Sequence, residues 1–259
     1  MAPNTSAQPA AQHNHYNLAG RVALVTGALG GLGPAICQVL AAAGAIVVGV
    51  AGDSHGDLAG ALGGLHSDIQ SPADISRISL RAANLLDEAS VMQLVAGVAS
   101  DLGRLDIAVN TVGGFAAGQP VSELSAETWD RMLALNARTA FLVSKFVAAP
   151  MTRQQWGRII NISSRAARSG RRNAAAYAVA KQAVITLTEA QAEELRDAYV
   201  TVNAVLPSII DTPANRQAMP NADTSRWPTP RQVARVIAFL ASDDAGLING
   251  AAIPVYGLA

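Results

Sequence analysis

The sequence is poor in cysteine and carries no excess of either charge. Cys37 is its one cysteine, so an intramolecular disulfide is excluded and a reducing compartment, the cytoplasm, is expected. Nineteen basic residues balance nineteen acidic ones. No global field then favours nucleic acid or an anionic membrane surface, and neither is expected as a partner. The first residues, "MAPNTSAQPAAQHNHYN", lack the basic start and apolar run of a signal peptide; residues 1–17 read as a disordered tail. His13 and His15 within it have no companion ligands, and no metal site is expected. A membrane span is also rejected. The long apolar run "PAICQVLAAAGAIVVGVA" (34–51) is divided by Gly44 into a helical half and a β-branched half, and Pro34 suits a helix's first turn.

What is present is apolar chain in an alternating order. Half of the 259 residues are hydrophobic, enough for one large domain over 18–259. Near-continuous apolar runs at 21–27, 45–51, 105–111, 157–163, 200–207 and 250–257 read as strands covered on both faces. Helical patterns separate them. That order predicts a Rossmann-type α/β fold, doubly wound, with a mostly parallel sheet and helices on both faces. The stretch 52–83 holds five glycines and one proline, and its helix boundaries are the least defined.

Two motifs carry chemistry. "TGALGGLG" (Thr26–Gly33) follows the first strand and opens a helix. Its glycines Gly27, Gly31 and Gly33 allow a tight turn and a close backbone approach to a pyrophosphate at the helix N-terminus. At the end of the second strand, the position of an acidic ribose ligand holds Ala51, with Asp53 just beyond. Asp53 would repel a 2′-phosphate whereas Ala51 leaves room for one, so NAD(H) and NADP(H) both stay open as cofactor. The second motif is "NAAAYAVAKQAV" (173–184), which puts Tyr177 and Lys181 one helical turn apart on one face. A free tyrosine has a pKa near 10, and a neighbouring ammonium would favour its phenolate.

On these residues the chain resembles the short-chain dehydrogenase/reductase family, over roughly 18–257. The motifs run in order: "TGALGGLG"; "NTVG" (110–113); Asn136 in "ALNARTAF"; "NISS", ending at Ser164; and "YAVAK" (177–181), with Ser164 thirteen residues before Tyr177. The resemblance implies an NAD(P)-dependent oxidoreductase that interconverts a ketone and a secondary alcohol. Tyr177 would be the general acid/base, Ser164 would polarise the substrate oxygen, Lys181 would hold the nicotinamide ribose, and Asn136 would support a water relay. It further implies cofactor contacts at Leu32, Asn84, Leu85, Asn110, Val112, Gly113, Pro207, Ile210 and Thr212, besides those named above. It implies a homo-oligomer, tetramer or dimer.

The chain departs from the family pattern at Asn84, Val112 and Ser208, and its end "PVYGLA" lacks the common Asp-Gly-Gly. Residues 207–230 resemble the family's substrate-covering loop, and "DTPANRQAMPNADTSRW" is similar to the corresponding region of dihydropteridine reductases. A dihydropteridine-reductase-like activity is therefore one alternative; a non-catalytic, cofactor-binding regulatory protein of the same fold is another. Arg165, Arg168, Arg171 and Arg172 crowd the stretch between Ser164 and Tyr177. The cluster reads first as a solvated loop or a subunit contact; the alternative is recognition of an anionic substrate group, for which Arg165 and Arg168 are the pair placed to reach the pocket.

Overall fold

The protein is described by a computed structural model covering residues 16–66 and 71–258. Seven strands are present: β1 (Val22–Thr26), β2 (Ile46–Ala51), β3 (Ile78–Ala82), β4 (Ile107–Asn110), β5 (Gly157–Ile162), β6 (Val200–Pro207) and β7 (Ala252–Val255). They form one sheet in the order β3-β2-β1-β4-β5-β6-β7. Every neighbouring pair is parallel, as in Leu24 beside Val48 and Val109 beside Ile160.

Successive side chains on a strand face opposite sides of the sheet. Leu24 accordingly joins one apolar cluster and Val25 the other. On the Val25 side, α1 (Gly33–Ala42) packs through Ile36 and Leu40. The short helices α2 (Leu58–His66) and α3 (Pro72–Ile75) follow β2. On the Leu24 side lie α4 (Glu88–Leu102), reached through Val91 and Val98, then α5 (Ala126–Leu133) and α6 (Thr139–Gln154), which contributes Leu142 and Val147. A π-helical stretch, Ala134–Arg138, joins α5 to α6. The one-turn α7 (Arg165–Ser169) and the long α8 (Ala175–Leu195) come next, and then α9 (Pro213–Ala218). Last is α10 (Pro230–Ala241), which returns to α1's side through Val233 and Ile237.

The apolar run 34–51 divides as the sequence predicts. Gly44 takes φ +99° between α1 and β2. Two expectations change. Strand β3, inside the stretch 52–83, has no counterpart among the predicted strands. It is an edge strand whose Ser79 and Ala82 are exposed, so it carries no continuous apolar run. The expected tail 1–17 lies outside the described residues except for Tyr16 and Asn17. Tyr16 already packs its ring 5.5 Å from that of Phe239, so the fold is entered there.

The strand order reverses between β1 and β4, and the crevice where open α/β sheets hold ligands lies beyond their C-terminal ends. Opposite it, at the N-terminal end of β4, the buried Asp106 accepts from the Val22 amide at 2.8 Å and from Arg104 at 2.7 Å through both oxygens. That carboxylate clamps β1 to β4 at the end of the sheet away from the crevice.

Candidate active site

The glycine turn is shaped by contacts only hydrogen permits. Gly27 sits at φ +63°, and a Cβ there would lie 2.7 Å from Thr111 Oγ1. A Cβ on Gly33 would collide with the Gly27 carbonyl oxygen. One on Gly31 would stand 3.2 Å from Thr212 Cγ2, so the turn faces the start of the covering loop across the crevice. Leu32 is buried in the core and gives α1 no side-chain cap. With Pro34 lacking an N–H and the Ile36 amide bonded to the Leu32 carbonyl, the amides of Gly33 and Ala35 are the first-turn donors suited to an anion. This cradle suits a pyrophosphate.

Beside it lies a cleft of about 370 Å³. Ala51, Asp53, Asn84, Leu85 and Val112 all border it. Asn84 shapes the floor: its Oδ1 accepts from the Leu86 amide at 3.0 Å and its own amide donates to Ser90 Oγ at 3.0 Å. His55 borders the cleft too, as do Leu135 and Thr139; none carries a motif that would have flagged it.

Asn110 is placed differently. Its Nδ2 donates to Asn161 Oδ1 at 2.8 Å and to Ser144 Oγ at 3.0 Å, tying β4 to β5 and α6. Its side chain is buried, and Asn110 borders none of the clefts described here. It supports the Thr111–Gly113 wall from behind.

The reactive groups meet in an adjoining cleft of about 230 Å³ bordered by Gly113, Asn136, Ser164, Tyr177, Lys181 and Pro207. Strand β5 and the cap of α7 deliver Ser164, whose Oγ accepts from the Ala166 amide at 3.2 Å. Helix α8 delivers both Tyr177 and Lys181. The Tyr177 hydroxyl is hydrogen-bonded to Ser164. Burial pushes the phenol above its ordinary pKa; the Ser164 bond and the Arg171 charge pull it part of the way back. Burial is thus the larger influence on the phenol in the cofactor-free chain, and it opposes the expected drift toward phenolate.

Lys181 is fully enclosed. Its Nζ donates to the Ile162 carbonyl at 2.8 Å, and burial lowers its pKa to about 8. Asn136 lies in the π-helical stretch, a backbone form frequent at functional sites. Its Oδ1 accepts from the Gly114 amide at 3.2 Å while its Nδ2 donates to the carbonyls of Gly114 and Met132. A Cβ on Gly113 would stand 2.5 Å from Asn136 Oδ1 and 3.1 Å from Lys181 Nζ. Gly113 thus keeps the two side chains within reach of one small space.

Beyond Tyr177 opens a cavity of about 650 Å³ between α7 and the covering loop. Ile210 walls both this cavity and the reactive cleft, and Met219 lines its far side. Thr212 is buried and caps α9 by accepting from the Asn215 amide at 3.2 Å. Trp227 is buried beneath the loop. Of the two arginines expected here, Arg165 lines the cavity and Arg168 does not. At about 100° per residue, Arg165, Ala166 and Ser169 share the facing side of α7, while Arg168 falls off it and is exposed. Arg171 takes the second position instead. Phe115, missed in the sequence, lies between: its ring meets that of Tyr177 edge-on at 5.0 Å, and the Arg171 guanidinium lies 5.7 Å from its centroid.

Residues 21–223 match the family described as short chain dehydrogenase. The protein belongs to that family. It is 35% identical over 245 residues to nodulation protein G of Azospirillum brasilense, covering 92% of this chain and 97% of that one. It is 34% identical to D-threitol dehydrogenase of Mycolicibacterium smegmatis over 98% of both chains. A short-chain type dehydrogenase/reductase from Mycobacterium ulcerans superposes with a TM-score of 0.86 at 31% identity, covering 93% of this chain and 90% of its own. This dehydrogenase is an enzyme, an oxidoreductase acting on small molecules, and its cofactor class is NAD(P)(H). The glycine cradle and the uncapped start of α1 fit that group.

Proposed function

We propose that this dehydrogenase interconverts a ketone and a secondary alcohol, with Tyr177 as general acid and base. The observation that carries the reading is the meeting of Ser164, Tyr177 and Lys181 in one cleft. The cofactor, when bound, supplies or takes up the hydride. Ser164 Oγ donates to the substrate oxygen and fixes it beside Tyr177. In reduction Tyr177 Oη passes its proton to that oxygen. The phenolate left behind is stabilised by the Arg171 charge, which already lowers the phenol's pKa, while the single Ser164 proton stays on the substrate oxygen. In oxidation the same phenolate takes the alcohol's proton. Lys181, anchored on Ile162, keeps further N–H donors for the nicotinamide ribose. Asn136 is a positioning residue that holds Gly114 and the π-helical stretch at the cleft.

The test is oxidation of NADH and NADPH by the purified protein with a panel of ketones and pteridines, the alcohol being identified as product. Ketone-dependent consumption supports the reading. Consumption with the pteridines alone, or none at all, overturns it.

A cytoplasmic homo-oligomer belongs to the same proposal. The buried free Cys37 suits a reducing compartment. Exposed Phe141 on α6 and Val179 on α8 offer apolar contacts to a second copy. Light scattering at micromolar concentration would return a dimer or tetramer; a monomer contradicts the oligomer.

A further inference from the structure

Among the described residues, the cavity beyond Tyr177 is lined by two arginines, Arg165 and Arg171, and by no aspartate or glutamate. The surroundings of Arg171 differ from those of the chain's structural arginines. Arg81, Arg104 and Arg216 each hold a carboxylate, at 2.6, 2.7 and 2.5 Å. Arg171 has no carboxylate partner among the described residues. Its neighbour is the Phe115 ring, and its charge is felt at Tyr177. The guanidinium of Arg165 stands 5.6 Å from the Tyr256 ring centroid, on the cavity's other side. Asp211, which follows Ile210 on the loop, is occupied by Arg216 through both oxygens and does not offset the Arg171 charge. The remaining wall is largely apolar: Phe115, Ile209, Ile210 and Met219.

We propose that the substrate carries an oxyanion, a carboxylate or a phosphate, on an apolar body, and that Arg171, flanked by Arg165, binds it. A guanidinium presents paired N–H donors that match either anion, and ring stacking leaves that edge free. The volume of about 650 Å³ suits a compound of drug-like size rather than a short ketone. The proposal relocates the anion site from Arg168, which is off the cavity face, to Arg171. It rests on the oxidoreductase reading only for the identity of the reacting carbon; the charge of the bound molecule follows from the cavity.

The experiment measures binding and needs no turnover, so its failure is distinct from failure of the ketone assay. Benzoate, phenyl phosphate and neutral benzamide are titrated calorimetrically into the protein saturated with reduced cofactor, and then into Arg171→Gln and Arg171→Lys. The expected result is that benzoate or phenyl phosphate binds about tenfold more tightly than benzamide. Arg171→Gln removes that advantage without changing benzamide, and Arg171→Lys retains part of it. Added salt weakens the anion and not the amide. Equal affinity for all three compounds, undetectable binding of both anions, or an anion preference that survives Arg171→Gln would overturn the proposal. Circular dichroism of the variants, with residue 171 on an exposed turn, separates a lost contact from a lost fold.

Discussion

Lys181 Nζ donates to the main-chain carbonyl of Ile162 at 2.8 Å and stands 6.0 Å from the Tyr177 ring centroid. The lysine is thus fastened to strand β5 rather than to the tyrosine one turn before it on α8. Its ammonium is buried, and that burial has a cost which pH reveals.

The folded-state pKa of about 8 lies below the ordinary value of 10.5. Between those values the unfolded chain binds more protons than the native one, so this group makes stability rise with pH across that window. Below it both states are charged and the burial penalty is felt in full. Lys181→Met removes the titration. Urea unfolding of the cofactor-free protein should show the variant gaining on wild type by about 2 kcal/mol more at about pH 7.5 than at about pH 10. A difference independent of pH would show that the ammonium is not desolvated.

Ser164 has two roles, capping α7 and holding the Tyr177 hydroxyl. Ser164→Ala should lower kcat on the order of 10²- to 10³-fold, because a positioned donor to the reacting oxygen is lost. The missing cap should cost only about 1 kcal/mol. A kcat within a few-fold of wild type would leave Ser164 as a cap alone.

Asp106 should matter for stability and not for chemistry. It is buried, it receives Arg104 and the Val22 amide, and it lies at the end of the sheet away from the crevice. Asp106→Ala strands those donors and should cost about 3–5 kcal/mol in denaturant unfolding. The KM for ketone of the remaining folded protein should stay unchanged. A loss below about 1 kcal/mol would contradict the clamp.

The fold and the reactive residues were legible because their signals are local. A buried parallel strand is an unbroken apolar run, and the turn after β1 needs glycine for steric reasons visible at Gly27 and Gly33. Tyr177 and Lys181 sit on one helix, so their spacing reports their geometry. Strand β3 was not legible. At the edge of the sheet it needs no covered faces, and Arg81 spends its charge on Asp101 of α4. The cavity wall was legible only in part. Which arginine faces the substrate depends on how one short turn, α7, is rotated, and that is set by packing against α8 rather than by the cluster's own sequence. Asn110 reads as a cofactor contact in the motif "NTVG", yet its amide is committed to Asn161 and Ser144, partners far away in sequence. The pKa of Tyr177 likewise depends on burial and on Arg171, which no four-residue spacing encodes.

The most direct test of the account is Tyr177→Phe. The substitution removes one oxygen and keeps the ring that packs edge-on against Phe115. Ketone turnover should fall on the order of 10²- to 10⁴-fold, the loss expected for a general acid, while the Kd for NADH or NADPH stays within about threefold of wild type. Near-normal turnover by a folded Tyr177→Phe protein would contradict the assignment of Tyr177 as the proton donor.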